Sequence, residues 1–323
     1  MIKSPSAVLQ THFGEVLENS FDLGIGVIGF EIRSSFAPSK FAANCTKRLA
    51  LRYTSQQVRG FVKNEEALKR QDFKIEDLST GAEHVSAERI VADELLSLAA
   101  VTLPRIVIDI SSMSRGVMAG VLSAIMAAPH KKLEVSFTYS VAEYEKPPSE
   151  YPPLFGIWGC TSIFGGAPLD PDKPTALVIG VGYEADRAIS AFSQIDPDQT
   201  WVLLPASPDR RYNEAVSKAN RQLLSLSGNI RPIQFDVTDP VFLFEKLRAL
   251  IVGIRLDHRV VLIPSGPKIT ALVSLMVAMN LHPDISVWRI SSGPLEPVFH
   301  RRPTGNVVAL NVTFGETLSW PMS

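Results

Sequence analysis

The sequence predicts an α/β protein made of two tandem Rossmann-like halves, each a doubly wound, mostly parallel sheet between helices, related by an internal duplication. Three observations carry this. Short apolar, β-branched runs alternate with longer segments of helical spacing, the pattern of strand–helix–strand units on a parallel sheet. The alternation runs twice in the same order, on either side of a proline- and glycine-rich stretch. Matching strings also recur at a near-constant offset: Gly29-Phe30-Glu31 against Gly182-Tyr183-Glu184 at 153 positions, and Arg105-Ile106-Val107 against Arg259-Val260-Val261 at 154. Self-similarity at a fixed separation marks a repeated unit. The expected boundaries are 1–144 for the first half, 145–174 for a linker and 175–323 for the second half.

In the first half, a short leader precedes Leu23–Ile28 (LGIGVI), an apolar run too short for a helix interior and therefore a buried strand. Residues Ser34–Asn44 have helical composition interrupted by Pro38. Leu49–Tyr53 reads as a strand, Val58–Lys69 as a helix and Phe73–Ile75 as a short strand. Ala87–Ala100 carries apolar residues at helical spacing with acids on the other face. Ile106–Ile110, a polar turn, a helix through Ala127 and the strand Leu133–Tyr139 complete the unit. The stretch 145–174 reads as a linker or long surface loop. It also holds Tyr151, Phe155, Trp158 and Phe164, which predicts that part of it packs on a domain or a partner. The second half then runs Thr175–Val181 (strand), Ala185–Gln194 (helix), Trp201–Leu204 (strand), Arg211–Leu226 (helix), Pro232–Phe235 (strand) and Pro240–Ile254 (helix). It continues with Val260–Ile263 (strand), Ile269–Met279 (helix), Ile285–Ile290 (strand) and Asn306–Val312 as a closing strand.

With 46% hydrophobic and 20% charged residues the chain has a globular composition, and its net charge of −1 argues against a non-specific nucleic-acid binder, which needs a basic face. Cys45 and Cys160 stand in different halves without metal-ligand spacing, so two reduced, buried thiols and no zinc site are expected. The N-terminus lacks the apolar core of a signal peptide, and no run reaches the roughly 18 apolar residues of a membrane span. The expectation is a cytoplasmic protein with no membrane partner.

Ligands of open α/β sheets sit at the carboxyl ends of the strands, where the strand order switches. Candidate residues therefore come from the turns that follow strands. In Gly-aromatic-Glu after the first strand, Glu31 and Glu184 are candidate acceptors for a ribose or base; the alternative is a tight turn with a solvated acid. Gly24-x-Gly26-x-x-Gly29 has dinucleotide-binding spacing but lies inside the predicted strand, and Gly180-x-Gly182 lacks the third glycine, so no dinucleotide cofactor is expected. The turns after the fourth strand are the stronger candidates. Ser265-Gly266-Pro267-Lys268 offers free amides at a helix N-terminus and a cation, an anion cradle. Its counterpart supplies Ser111, Ser112, Ser114 and Arg115, with Asp109 in the strand before it. Capping of the helix by Ser112 or Ser114 is the competing role for these hydroxyls. Two further basic tracts, Ser207-Pro208-Asp209-Arg210-Arg211 and His300-Arg301-Arg302, read as a solvated helix start and an exposed loop. No G-x-S-x-G, no nucleophile–base pair and no P-loop spacing occurs. The sequence favours a binder over a catalyst.

At Pro264-Ser265-Gly266-Pro267-Lys268 followed by an apolar helix, the second half resembles CARF domains, which carry a strand, a small-residue turn ending in Lys or Arg, and a helix. The tandem arrangement is similar to SAVED domains. The resemblance implies a sensor of cyclic oligonucleotides in prokaryotic antiviral defence. Its ligand would lie across two pseudo-symmetric turns, touching Ser265, Gly266 and Lys268 on one side and Ser111, Ser112 and Arg115 on the other. As no nuclease or HEPN-like segment is fused, it also implies action through a separate effector chain. The leading expectation is a ligand-sensing or regulatory subunit that binds a nucleotide or oligonucleotide between its halves. The alternatives are a nucleotide-processing enzyme, of nucleosidase or phosphotransferase type, using Asp109 with Glu31 or Glu184 as acid and base, and a scaffold subunit with no ligand.

Overall fold

The computed structural model describes residues 2–55, 57–148, 151–152, 154–166, 172–226, 230–291 and 301–316. In chain order the elements begin with β1 (Lys3–His12), α1 (Phe13–Glu18), β2 (Phe21–Ile28), α2 (Pro38–Phe41), β3 (Cys45–Tyr53), α3 (Phe61–Lys69), β4 (Lys74–Leu78), α4 (Glu83–Leu96), β5 (Arg105–Asp109), α5 (Arg115–Ala127) and β6 (Lys132–Ala142). They continue with β7 (Gly156–Gly159), β8 (Thr175–Gly180), α6 (Arg187–Ile195), β9 (Gln199–Ala206), α7 (Arg210–Ala219), α8 (Arg221–Leu224), β10 (Ile230–Asp236), α9 (Pro240–Ile254), β11 (Arg259–Pro264), α10 (Lys268–Asn280), β12 (Ile285–Ser291) and β13 (Pro303–Glu316).

The chain forms two Rossmann-like α/β units, Met1–Glu143 with Val298–Ser323, and Tyr144–Pro297. The first holds a seven-stranded sheet in the order β1-β13-β6-β5-β2-β3-β4, parallel from β6 to β4, with β13 antiparallel to β6 and β1 antiparallel to β13. The second holds a six-stranded sheet in the order β10-β9-β8-β11-β12-β7, parallel except for β7. Numbered within each unit, the five parallel strands run 3-2-1-4-5 in both sheets. In each the strand order reverses between the first and fourth strands, β2 and β5 in one and β8 and β11 in the other.

Helical spacing without a polar face accounts for the two most buried helices. Every residue from Gly116 to Met126 in α5, and from Ile269 to Met279 in α10, is buried, as expected for a helix apolar all round. Gly120 lets α5 approach α4 at backbone range, since a Cβ there would stand 2.2 Å from the His84 carbonyl oxygen. Gly24 and Gly26 lie inside β2, where a Cβ would meet Cys45 Sγ at 2.6 Å and Pro38 Cγ at 3.1 Å. Their role is close packing.

The architecture departs from the sequence-based boundaries at three places. Asn306–Val312 does not close the second half: it is the middle of β13, which returns to the first sheet and pairs there with both β6 and β1. The short leader is the edge strand β1, and its lone buried cluster (Lys3, Ser4, Pro5) gave little apolar alternation to recognise. The 145–174 stretch supplies β7, antiparallel to β12, and Phe164 from it is buried at 1% exposure. Two segments of helical pattern, one already interrupted by Pro38 and one read as a single helix, are broken in the fold. Ser34–Asn44 is the short α2 between 3-10 turns Ile32–Ser35 and Ala42–Asn44. Arg211–Leu226 divides into α7 and α8 at Asn220, whose side chain is drawn into the core.

Both cysteines are buried and neither is in a disulfide, and burial pushes the Cys45 thiol up to about 12. No helix among the described residues is long and apolar enough to cross a membrane. No group of three or more His, Cys, Asp or Glu side chains among them is placed to hold a metal ion.

Candidate functional site

In both units the two turns singled out by sequence flank the point where strand order reverses. In the first unit the Gly29-Phe30-Glu31 turn leaves β2 and is fixed by hydrogen bonds. The Gly29 amide donates to Ser34 Oγ at 3.2 Å. Asn64 Nδ2, from α3, donates to the carbonyls of Gly29 at 2.8 Å and Glu31 at 2.7 Å. Gly60 also donates its amide to the Phe30 carbonyl at 3.1 Å.

Glu31 is buried, and its carboxylate faces Arg33 rather than open solvent: Arg33 Nε donates to Glu31 Oε2 at 2.6 Å. Arg33 is 0% exposed, donates from Nη1 to the Ser140 carbonyl at 2.9 Å, and lies 5.5 Å from the Tyr139 ring centroid. Burial works against its charge, but Glu31 and Tyr139 outweigh burial and the opposing field of Arg301, and hold it protonated. Arg301 thus belongs to this neighbourhood, whereas His300 lies outside the described residues.

Asp109 closes β5 as a bonded node. Its carboxylate accepts from the Ser111 amide at 3.1 Å, Ser111 Oγ at 2.8 Å and Thr138 Oγ1 at 3.0 Å. Ser111 Oγ in turn accepts from the Ser140 amide at 2.8 Å. Burial pushes the Asp109 carboxyl up to about 7 against the lowering effect of the Ser111 and Thr138 bonds and of Arg33. Ser114, not Ser112, caps α5 by accepting from the Val117 amide at 3.1 Å. The Ser114 amide is itself spoken for, donating to Tyr53 Oη at 2.7 Å, and burial pushes that phenol up to about 12. Ser112 and Arg115 are half-buried at the rim.

In the second unit the equivalent turns touch through backbone. Gly266 has φ +76°, and a Cβ there would stand 2.2 Å from the Val181 oxygen; a Cβ on Gly180 would stand 2.7 Å from the Ser265 oxygen. Only glycine permits this approach. Glu184 folds back over its own turn, its Oε2 being 2.2 Å from where a Gly182 Cβ would lie. Asn220 Nδ2 donates to the Gly182 carbonyl at 2.7 Å, matching the bond of Asn64 to Gly29. Lys268 opens α10 as Arg115 opens α5, both at the first helical position, and both are half-buried. Unlike α5, α10 has no side-chain cap, because Pro267 stands at its N-cap.

The structure therefore gathers Glu31, Asp109, Ser111, Ser112 and Arg115 at one switch point, and Glu184, Ser265, Gly266 and Lys268 at the other. Sequence reasoning missed Arg33, Tyr53, Asn64, Ser140 and Asn220. The only signal for the two asparagines was their similar place after the second strand of each half. The Arg211 guanidinium is held locally by Asp209, which caps α7 and takes two bonds from it at 3.0 and 2.7 Å, and lies 5.1 Å from the Tyr144 ring centroid.

No protein-family model matches the chain, and no curated protein does. Among solved structures, MurG of Acinetobacter baumannii is similar over 83% of this chain and 85% of its own, at 10% identity and a TM-score of 0.19. A likeness of that size carries no argument about function.

Proposed function

We propose that the chain is a ligand-sensing or regulatory subunit that binds a nucleotide or cyclic oligonucleotide at its switch-point turns and acts through a partner protein, in antiviral defence as the CARF and SAVED resemblance implies. The observation that carries this reading is the matched placement of Arg115 and Lys268. Each puts a cation in the first turn of a buried helix, where the helix dipole disfavours positive charge by a few tenths to about 1 kcal/mol. An anion bound at the turn reverses that penalty. The Asp109 and Glu31 carboxylates favour a binder over a nucleotide-processing enzyme, since their oxygens accept from Ser111, Thr138 and Arg33.

The test is thermal unfolding of the purified chain against mononucleotides and cyclic oligonucleotides, with mass spectrometry of small molecules carried through purification. A ligand at 100 times its Kd adds about 2.7 kcal/mol. Arg115→Ala and Lys268→Ala are each expected to weaken binding while leaving the unliganded fold intact. Unchanged affinity in both variants removes these turns from the site. Product formation lost in Asp109→Asn would instead favour the enzyme.

A further inference from the structure

At the first unit's switch point an unusual set of polar atoms is buried with nothing to bond. Arg33 Nη2, Ser112 Oγ and Ser140 Oγ have no hydrogen-bond partner among the described residues. All three residues lie at the carboxyl end of the first sheet's parallel strands, after β2, after β5 and near the end of β6. Arg33 Nη1 donates to the Ser140 carbonyl, the Ser140 amide donates to Ser111 Oγ, and Ser112 Cβ stands 3.7 Å from the Cβ position of Gly29. Buried polar groups are satisfied in the great majority of cases, so three unmet groups together at the carboxyl ends of β2, β5 and β6 call for a partner.

The donor inventory says what kind. Arg33 has no acceptor atom; Nε is used by Glu31 and one Nη1 hydrogen by Ser140, which leaves the second Nη1 hydrogen and both hydrogens of Nη2. Each hydroxyl is able to donate as well. The missing partner must therefore be an acceptor with several lone pairs, and Arg301 adds positive potential beside Arg33. A tetrahedral oxyanion meets all of these demands.

We propose that the first unit binds a phosphate or phosphoryl group at Arg33 Nη2, Ser112 Oγ and Ser140 Oγ. This rests on the reading of the switch points as ligand sites, and names the group recognised at one of them. Of the three residues only Ser112 is half-buried rather than fully buried, so its side of the site is the nearest to solvent.

The experiment titrates the full chain with inorganic phosphate by calorimetry and by 31P line broadening, then repeats both with a nucleoside monophosphate and a cyclic dinucleotide. The variants are Ser112→Ala, Ser140→Ala and Arg33→Lys. Each alanine variant should bind phosphate about tenfold more weakly, with an unliganded melting temperature equal to or above wild type because an unmet buried hydroxyl is gone. Arg33→Lys keeps the charge, loses the fork and should bind more weakly still. If Arg33→Lys fails to fold, the two serine variants decide alone. Wild type that does not bind phosphate, or equal affinity in the serine variants, overturns the proposal and leaves an ordered water as the partner of these atoms. Phosphate binding that depends on these residues, with no nucleotide bound, keeps the oxyanion site and removes the sensing reading. Nucleotide binding that needs Lys268 but ignores the three variants does the reverse.

Discussion

Replacing Asp109 by Asn isolates one buried titration and predicts its sign. The carboxyl is 1% exposed and is pushed up to about 7 from its ordinary value of 3.8. Between those values the folded chain holds a proton that the unfolded chain has released, so this group makes stability fall as pH rises through the window. Between pH 5.5 and pH 8 the folded carboxyl goes from mostly protonated to mostly ionised, while the unfolded carboxyl stays ionised throughout. At about 1.4 kcal/mol per unit the difference is about 2 kcal/mol. Asn is isosteric; it keeps an acceptor for the Ser111 amide and offers a donor to the Ser111 and Thr138 hydroxyls, yet does not titrate. Urea unfolding of wild type and Asp109→Asn at pH 5.5 and pH 8 gives four stabilities, and the variant should lose about 2 kcal/mol of the wild-type fall over that range. Every other titrating group is common to the two chains and cancels. A pH dependence identical in the two, or steeper in the variant, refutes the assignment of a near-neutral pKa to Asp109.

Three other substitutions probe how the turns are held. Gly266→Ala places a Cβ 2.2 Å from the Val181 oxygen at φ +76°, a clash no rotamer relieves. Thermal unfolding should show a loss of at least about 2 kcal/mol, and a neutral effect would mean that the two turns are not in backbone contact. Asn64→Ala strips a donor from the carbonyls of Gly29 and Glu31 and should cost about 2 kcal/mol or more, with faster amide exchange in residues 29–35. Glu31→Ala leaves Arg33 charged and buried without its carboxylate. It should destabilise the first unit by about 3–5 kcal/mol, with much of the loss recovered in the double variant carrying Arg33→Met; no recovery would mean that the pair is not coupled.

The sequence by itself determined the local pattern. Apolar runs of strand length and the predominantly apolar helices α5 and α10 are written in the periodicity of burial, a property of neighbouring residues. The repeat was legible because both copies keep a Gly-aromatic-Glu turn and a polar turn before the buried helix. The rule that ligands meet parallel sheets at the carboxyl ends of their strands then placed Glu31, Ser112, Ser265 and Lys268 at the switch points. Tertiary structure alone decided which strand pairs with which. β13 carries no mark that sends it to β6 and β1 rather than to the sheet before it, because backbone hydrogen bonding is the same for any partner edge. It also decided which side chains meet. Arg33 finds Ser140 at a separation of 107 residues, Asp109 finds Thr138 at 29, and Asn64 and Asn220 reach back to the glycine carbonyls at 35 and 38. Such pairings depend on where the sheet brings distant strand ends, and no local period encodes that distance.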